Sequence, residues 1–320
     1  MNDTREIFLD KLESIDFKEI DKHPNILIAA RFWEEERYYA AKTCYKFMRS
    51  VDDMIDDHKS AYNQIGKNDQ FKFEEAVIQW ILNIRNRLEN PDTGDEFSNT
   101  IQKFGIPLWP FEDFARSMVY DIHHDGFRNL SAFLEYSQGA SVAPASVFVH
   151  LCGISDNSGG YLEPEFDVRE AATPCAMFSY LVHIIRDFQK DQLANLNYFA
   201  DEEMERNGLT RKDLRNMALD ATVNNGFRAM ISGYYLLADD YRKKTQEMIR
   251  KISPLMKPRY QLSLDIIFSL YLMVFERIDI KRGNFTKEEL EPSAEEIRAR
   301  VQKTILEFQP AQRLMKLTME

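Results

Sequence analysis

Apolar residues recur at helical spacing along most of the chain, whereas the alternation of apolar and polar residues that is typical of strands is rare. The glycine content agrees with this pattern, because 12 glycines in 320 residues fall below the usual share of about 7%. We therefore predict an all-α fold of about eight helices.

Breaks in the pattern set the bounds of the predicted helices. Helices with two predicted ends run from Pro24 and Asn25 to near His58, from Phe71 to Glu89, from Pro107 to His124, from Ser131 to about Cys152, from Leu264 to Ile280 and from Ala294 to Phe308. Another helix begins at a cap, Asp167, and continues through the second acidic pair described below. A further helix begins at a capping box of Thr210 and Asp213, and one more lies around Tyr234. Residues 90–94 are predicted to form a turn, and residues 153–166 a loop.

The composition indicates one domain, residues 1–320, because no segment rich in Pro, Gly or Ser and no abrupt change in charge divides the chain. A formal net charge of −11 argues against binding to nucleic acid and against electrostatic attachment to anionic membranes. Cys44, Cys152 and Cys175 lie in apolar surroundings at spacings that suit neither a zinc site nor a disulfide framework. They are predicted to be core residues in a reducing compartment.

The N-terminus lacks the basic start and apolar block of a secretory signal, which predicts a cytoplasmic location. The apolar stretches Val142–Ile154 and Leu262–Phe275 are shorter than the roughly 20 residues of a membrane span, and polar residues and a proline interrupt them. No transmembrane helix is therefore predicted. A lipid-like substrate or product would still require a peripheral membrane contact for its release, and we expect a monomer or a weak dimer.

Two acidic pairs carry the chemistry that the sequence predicts. The first lies in Asp52-Asp53-Met54-Ile55-Asp56-Asp57, and the second in Asp187-Phe188-Gln189-Lys190-Asp191. Residues four apart lie on one face of a helix, with Cβ atoms about 5–6 Å apart, so each pair presents two carboxylates together. Mg²⁺ prefers oxygen ligands and is usually held by one or two carboxylates and the phosphates of a substrate. The pairs therefore predict a magnesium-dependent enzyme that acts on a diphosphate.

A solvated helix face is the alternative interpretation of each pair. Asp121 and Asp125 show the same spacing, which indicates that spacing alone proves little. The two candidate pairs differ in their setting, since each follows a run apolar enough to form a buried helix, where charged residues need partners.

Longer segments around both pairs resemble the squalene and phytoene synthases. The segment Tyr45-Lys46-Phe47-Met48-Arg49-Ser50-Val51-Asp52-Asp53-Met54-Ile55-Asp56-Asp57 is similar to the first aspartate-rich motif of that family. Ile184-Ile185-Arg186-Asp187-Phe188-Gln189-Lys190-Asp191 is similar to the second, and Phe133-Leu134-Glu135-Tyr136-Ser137-Gln138-Gly139-Ala140 resembles the central helix. Met118-Val119-Tyr120-Asp121-Ile122 resembles the stretch before that helix. The similarity runs from about His23 to Tyr271.

The resemblance implies an all-α isoprenoid synthase fold with helices around a central active-site cavity and a core of about residues 23–285. It also implies a Mg²⁺-dependent, head-to-head condensation of two prenyl diphosphates, farnesyl or geranylgeranyl diphosphate. Such a reaction would pass through a cyclopropyl diphosphate to a squalene- or phytoene-type hydrocarbon.

Site residues follow from the same resemblance. The implied metal ligands are Asp52, Asp53, Asp56, His183, Asp187 and Asp191. The implied catalytic residues are Asp52, Asp56, Asp187, Asp191 and Tyr136, and the implied substrate-binding residues are His23, Arg49, Arg186, Lys190, Tyr198 and Tyr271. From the residues alone, the cationic side chains are equally compatible with ion pairs inside their helices. Core packing is an alternative role for the aromatic residues, Phe47 included.

Four positions depart from the family pattern. Tyr180 replaces a usual glutamine, His183 an asparagine, Leu196 an arginine and Glu288 an arginine that some relatives place there. These departures leave two further hypotheses open. One is a class I terpenoid cyclase or another enzyme that ionises a single prenyl diphosphate, and the other is a non-catalytic family member that serves in assembly or lipid binding.

Overall fold

The computed structural model describes residues 2–17, 25–62, 65–89 and 95–312, and in them loops join the helices and the only strands form one short hairpin, which confirms the all-α prediction. The helices are α1 Asn2–Glu13, α2 Asn25–Ala30, α3 Glu35–Tyr62, α4 Lys67–Glu89, α5 Glu96–Phe104, α6 Trp109–His123, α7 Leu130–Ser137, α8 Ala143–Gly153, α9 Val168–Arg186, α10 Phe188–Leu193, α11 Asp201–Arg206, α12 Arg211–Asp220, α13 Asn225–Ile252, α14 Pro258–Phe275, α15 Lys287–Leu290 and α16 Ala294–Glu307. A π-helical turn spans Gln138–Val142, a 3₁₀ turn spans Ser253–Leu255, and strands β1 Ser155–Asn157 and β2 Gly160–Leu162 pair antiparallel.

The long helix predicted from Pro24 and Asn25 to His58 is wrong, because the chain breaks between α2 and α3 and then stays helical to Tyr62. Tertiary contacts hold the break. The indole nitrogen of Trp33 donates to the hydroxyl of Ser263 at 2.7 Å, and the guanidinium of Arg31 stacks over the ring of Tyr38 at 4.4 Å. Packing contacts of this kind routinely override local helix preference.

The central helix predicted over Ser131–Cys152 is also interrupted, by the π turn between α7 and α8. Pro144 has no N–H to donate to the preceding turn, and the N–H of Ala143 instead bonds to the carbonyl of Gln138, five residues back. Gly139 lets this turn approach α6 closely, since a Cβ there would lie 2.2 Å from the carbonyl oxygen of Asp113. The small residues of this segment therefore serve close packing.

Both predicted helix caps are confirmed. The carboxylate of Asp167 accepts from the backbone N–H of Glu170 at 2.7 Å, and Thr210 with Asp213 forms a reciprocal capping box. The loop prediction for residues 153–166 missed the β1–β2 hairpin, and helices α1, α5, α11 and α15 were not predicted. The predicted turn at residues 90–94 lies outside the described residues.

Two large apolar clusters hold the helices together and place the acidic motifs. One cluster joins α2 to α6 with α8, α14 and α16, and the other surrounds α9 to α13. Ile249 and Tyr271 pack against both clusters. Helix α9 lies between α8, α13 and α14. None of the described helices is long and apolar enough to cross a membrane. The single domain stays a prediction.

Candidate active site

The first acidic motif lies on α3, where Arg49 draws two of its carboxylates together. The guanidinium of Arg49 lies 2.8 Å from Asp52 and 2.6 Å from Asp53, one helical turn further along. The side chain of Arg49 stays about half exposed. Intrahelical ion pairs of this exposure are weak, so Arg49 remains available to a phosphate.

The negative charge of this motif is only partly compensated. Burial, opposed by Arg49 and reinforced by neighbouring carboxylates, raises the pKa of Asp52 to about 6. Burial and repulsion from Asp52 and Asp121 raise the pKa of Asp56 to about 8. Among the described residues, the carboxylate of Asp56 has no ion pair. This part of the site therefore favours a bound cation.

The second motif lies at the junction of α9 and α10. Asp187 ends one helix and begins the next, with φ −90° and ψ 6°. Its carbonyl still accepts from the N–H of Asp191 at 2.8 Å, so the two acidic residues remain one turn apart. The helix break at Asp187 therefore does not separate the predicted pair of Asp187 and Asp191.

Asp187 is the best-compensated carboxylate of the site. The Nε and Nη2 atoms of Arg186 lie 2.7 and 2.9 Å from its two oxygens, and Nε2 of His183 lies 2.7 Å from Oδ2. Burial alone would raise the pKa of Asp187, but its interactions with His183 and Arg186 hold it well below its ordinary range. Burial and the charge of Asp187 raise the pKa of Asp191 to about 7, and Lys190 is exposed.

Tyr198 lies within the electrostatic reach of both motifs. Burial raises the pKa of its hydroxyl well above the ordinary range, and the charges of Asp56 and Asp191 raise it further. Tyr180 responds in the same way to burial and to Asp121, Asp52 and Asp56. The charges of both motifs therefore act on the same tyrosine hydroxyl.

Side chains in this region are enclosed by protein and still reachable by water. His183 exposes 44% of its side chain, yet burial is the largest of the influences that lower its pKa. Asp52 exposes 27% of its side chain, and burial is again the largest influence on its pKa. Accessible surface combined with strong desolvation is expected for groups that line a cleft or cavity.

Sequence reasoning missed the buried pair of Lys59 and Asp121. The ammonium of Lys59 lies 2.9 Å from Oδ1 of Asp121, and the hydroxyl of Tyr136 donates to Oδ2 at 2.5 Å. Neither the spacing of Asp121 and Asp125 nor the resemblance of residues 118–122 to the family predicts that Asp121 is buried against Lys59. Two signals were available: Asp121 lies in an apolar run, and Lys59 follows Asp56 by three residues on the same helix face.

The remaining candidates are placed as follows. Tyr271 lies on α14, where burial raises the pKa of its hydroxyl to about 12 and the charge of Arg186 opposes this rise. Phe47 stacks between Trp80 and Phe97, which is core packing. Leu196 follows α10 and is partly buried, and Glu288 is exposed on α15. His23 lies outside the described residues.

The donor set of the first motif fits a hard divalent cation, because it consists of carboxylate oxygens with incomplete charge compensation. Within the described residues, no group of three or more His, Cys, Asp or Glu side chains is arranged to hold a metal ion alone. Such a cation would thus complete its shell with water and ligand oxygens. The full ligand set named from the sequence, His183 included, stays a prediction.

Comparisons with known proteins agree with this architecture. The squalene/phytoene synthase family profile matches residues 22–303. The chain is 22% identical over 280 residues to phytoene synthase 3, chloroplastic, of Zea mays, covering 85% of this chain and 60% of that protein. It is 23% identical over 261 residues to phytoene synthase 1, chloroplastic, of the same plant, covering 79% and 58%. The chain thus spans about 60% of the length of these curated relatives.

Solved structures show the same fold at low sequence identity. A dehydrosqualene synthase crystallised in complex with ligand superposes with a TM-score of 0.64 at 14% identity, covering 95% of this chain and 97% of that one. YisP of Bacillus subtilis superposes with a TM-score of 0.58 at 15% identity, covering 94% and 97%. Both comparisons confirm the predicted isoprenoid synthase architecture. Because the family profile matches most of its length, this chain belongs to the squalene/phytoene synthase family.

Proposed function

We propose that this protein condenses two prenyl diphosphates head to head, in a Mg²⁺-dependent reaction that yields a squalene- or phytoene-type hydrocarbon. Farnesyl and geranylgeranyl diphosphate are the proposed substrates. Membership of the squalene/phytoene synthase family supports the reaction type, while the substrate length and the product rest on the site residues.

The observation that carries the proposal is the convergence of both acidic motifs on Tyr198. Asp56 from α3 and Asp191 from α10 both act on the pKa of this one hydroxyl. The first motif ends 131 residues before the second begins, counted from Asp56 to Asp187. The common influence of the two motifs on Tyr198 therefore depends on the fold. A diphosphate that enters this region would be within reach of both.

Each group has a distinct proposed task. The carboxylates Asp52, Asp53 and Asp56 would hold Mg²⁺, which supplies charge neutralisation for a departing diphosphate. Arg49 and Arg186 would bind phosphate oxygens directly, since a guanidinium matches that geometry. Asp187 keeps the fork of Arg186 in place through two hydrogen bonds.

The aromatic side chains of this region would protect and stabilise an allylic cation. Phe133 stacks on Tyr180 with ring centroids 5.5 Å apart, and Tyr136 lies 6.5 Å from the same ring. Aromatic faces stabilise cations, and closing water out of the site prevents hydrolysis of the ionised substrate. Tyr136 is anchored by its bond to Asp121, which fixes its ring beside Tyr180.

A second candidate is an enzyme that ionises one prenyl diphosphate and releases a cyclic or hydroxylated product. Tyr180 and His183 favour it, because their polar atoms lie among the carboxylates at positions where the resemblance leads us to expect amides. A phenol or imidazole is able to hold a water molecule close to a cation.

Product analysis separates these functions. The protein is incubated with Mg²⁺ and farnesyl or geranylgeranyl diphosphate, and extracts are examined by mass spectrometry. A C30 or C40 hydrocarbon is expected. A cyclic or alcohol product of one substrate's length would favour the second candidate, and unchanged substrate would overturn both. In the same assay, Asp56→Asn tests a proposed metal ligand. Asp57→Asn is its matched control, because Asp57 is an exposed neighbour in the same motif.

A further inference from the structure

Helix α4 carries an apolar stripe on its exposed surface. Phe71, Ile78 and Leu82 expose 69%, 47% and 38% of their surface. Their spacings of seven and four residues place them on one face of the helix. A different face of α4 is buried, through Val77 and Ile84. The apolar part of this helix is therefore wider than the part that packs against the described body.

Helix α4, which carries the stripe, contacts the end of α3 that follows the first acidic motif. The ring of Phe73, two residues after Phe71, contacts the ring of His58 edge to face at 5.0 Å, and His58 follows Asp56 by two residues. On the other side of this end of α3, the amide of Asn195 donates to the carbonyl of Ser60 at 3.3 Å. That contact brings Leu193, which is 44% exposed and follows Asp191 by two residues, to the same end of the molecule.

The charge of α4 fits a surface without net charge. The helix holds four basic and four acidic residues, whereas the whole chain carries −11. A neutral, apolar stripe on an acidic protein matches zwitterionic headgroups better than anionic ones. A second copy of the chain is a poorer occupant. Three partly exposed side chains offer on the order of 300 Å², below the roughly 800 Å² per partner of a stable dimer.

We propose that Phe71, Ile78 and Leu82 form a docking surface for a zwitterionic lipid bilayer. Docking there brings the end of α3 that follows the first acidic motif toward the membrane, which holds prenyl chains and accepts an apolar product. The identity of that cargo rests on the proposed function, whereas the docking does not.

Sedimentation with phosphatidylcholine vesicles tests the docking. The triple variant Phe71→Glu, Ile78→Glu, Leu82→Glu is expected to lose at least about tenfold in vesicle partitioning, because three apolar side chains no longer enter the bilayer. Leu162→Glu is the matched control. Leu162 is 53% exposed but lies in the hairpin before α9, and the 19 residues of α9 separate that end from Asp187 by roughly 28 Å. Circular dichroism and thermal melting check that each variant folds.

Three results would overturn the docking surface: vesicle binding by the triple variant equal to that of the unaltered protein, no binding by the unaltered protein, or a dimer in light scattering that the triple variant converts to a monomer. The proposed function is judged separately. Turnover of substrate in detergent solution should be the same in the triple variant and the unaltered protein, and turnover of substrate held in vesicles should fall in the variant alone. Vesicle binding that depends on the stripe, without any turnover, would leave the docking surface in place and refute the proposed function.

Discussion

Replacing Asp56 by asparagine should stabilise the metal-free protein at alkaline pH and remove its response to Mg²⁺. Asp56 lies among like charges and has no ion pair within the described residues, so its ionised form is unfavourable in the folded state. Asparagine has nearly the same shape and cannot ionise. The substitution therefore removes repulsion without creating a cavity.

The sign and size of the effect follow from the pKa. The unfolded chain releases the proton of Asp56 near pH 3.8, whereas the folded protein holds it to about pH 8. The folded state thus binds more protons between these values, and its stability falls as the pH rises through this window. The shift corresponds to an upper limit of about 6 kcal/mol at about 1.4 kcal/mol per unit. Repulsion between Asp52 and Asp121 persists in the variant, so we expect a gain of about 1–3 kcal/mol at pH 8.5.

Urea unfolding at pH 5 and pH 8.5, with EDTA and with Mg²⁺, measures this effect. The variant should already be somewhat more stable than the unaltered protein at pH 5, about a third of the way through this window, and the difference should be larger at pH 8.5. Mg²⁺ should stabilise the unaltered protein more at pH 8.5, because ligand carboxylates must be ionised, and should affect the variant little. Asp57→Asn should behave like the unaltered protein. A variant less stable than the unaltered protein at pH 8.5 would refute the reasoning, as would an equal gain from Asp57→Asn.

Three further predictions test other parts of the structure. Asp52→Asn or Asp187→Asn should abolish turnover of prenyl diphosphates with the circular dichroism unchanged, and retained turnover would remove that residue from the mechanism. Gly139→Ala should lower the free energy of unfolding by at least about 1–3 kcal/mol, because its Cβ would lie 2.2 Å from a backbone oxygen of α6; unchanged stability in urea would contradict that close approach. Lys59→Met should cost about 3–5 kcal/mol by leaving the carboxylate of Asp121 buried and unpaired. Adding Asp121→Asn should recover part of this loss, and a double variant no more stable than the single one would count against the pair.

The sequence was sufficient to predict the fold class and the chain positions of the acidic motifs, because helical periodicity and local spacing are both encoded in short segments. Asp167 and Thr210 were correctly recognised as caps for the same reason. The break after α2 was missed because it depends on Ser263, which lies 230 residues away from Trp33.

Side-chain partners that come from a different helix were equally beyond local reasoning. The spacing of Asp121 and Asp125 does not show that Asp121 is buried against Lys59, because Lys59 lies on a different helix, 62 residues earlier in the chain. The interaction of His183 with Asp187 was within reach, because the two residues are four apart on one helix. The compensation of Asp187 by Arg186 was also accessible, while the convergence on Tyr198 required the complete fold.

The π-helical turn at Gln138–Val142 has a consequence for how this protein tolerates length changes. A π turn accommodates one residue more than an α-helical turn of the same rise. It thereby absorbs the extra residue within one turn and keeps the rotational setting of α7, which aims Tyr136 at Asp121, relative to α8. Loss of a single residue in this stretch would convert the turn to regular α-helix and leave that setting nearly unchanged, whereas the same loss in a regular helix rotates the flanking parts by about 100° relative to each other. A change of one residue in length at this turn would thus leave the chemistry of the site aimed as before.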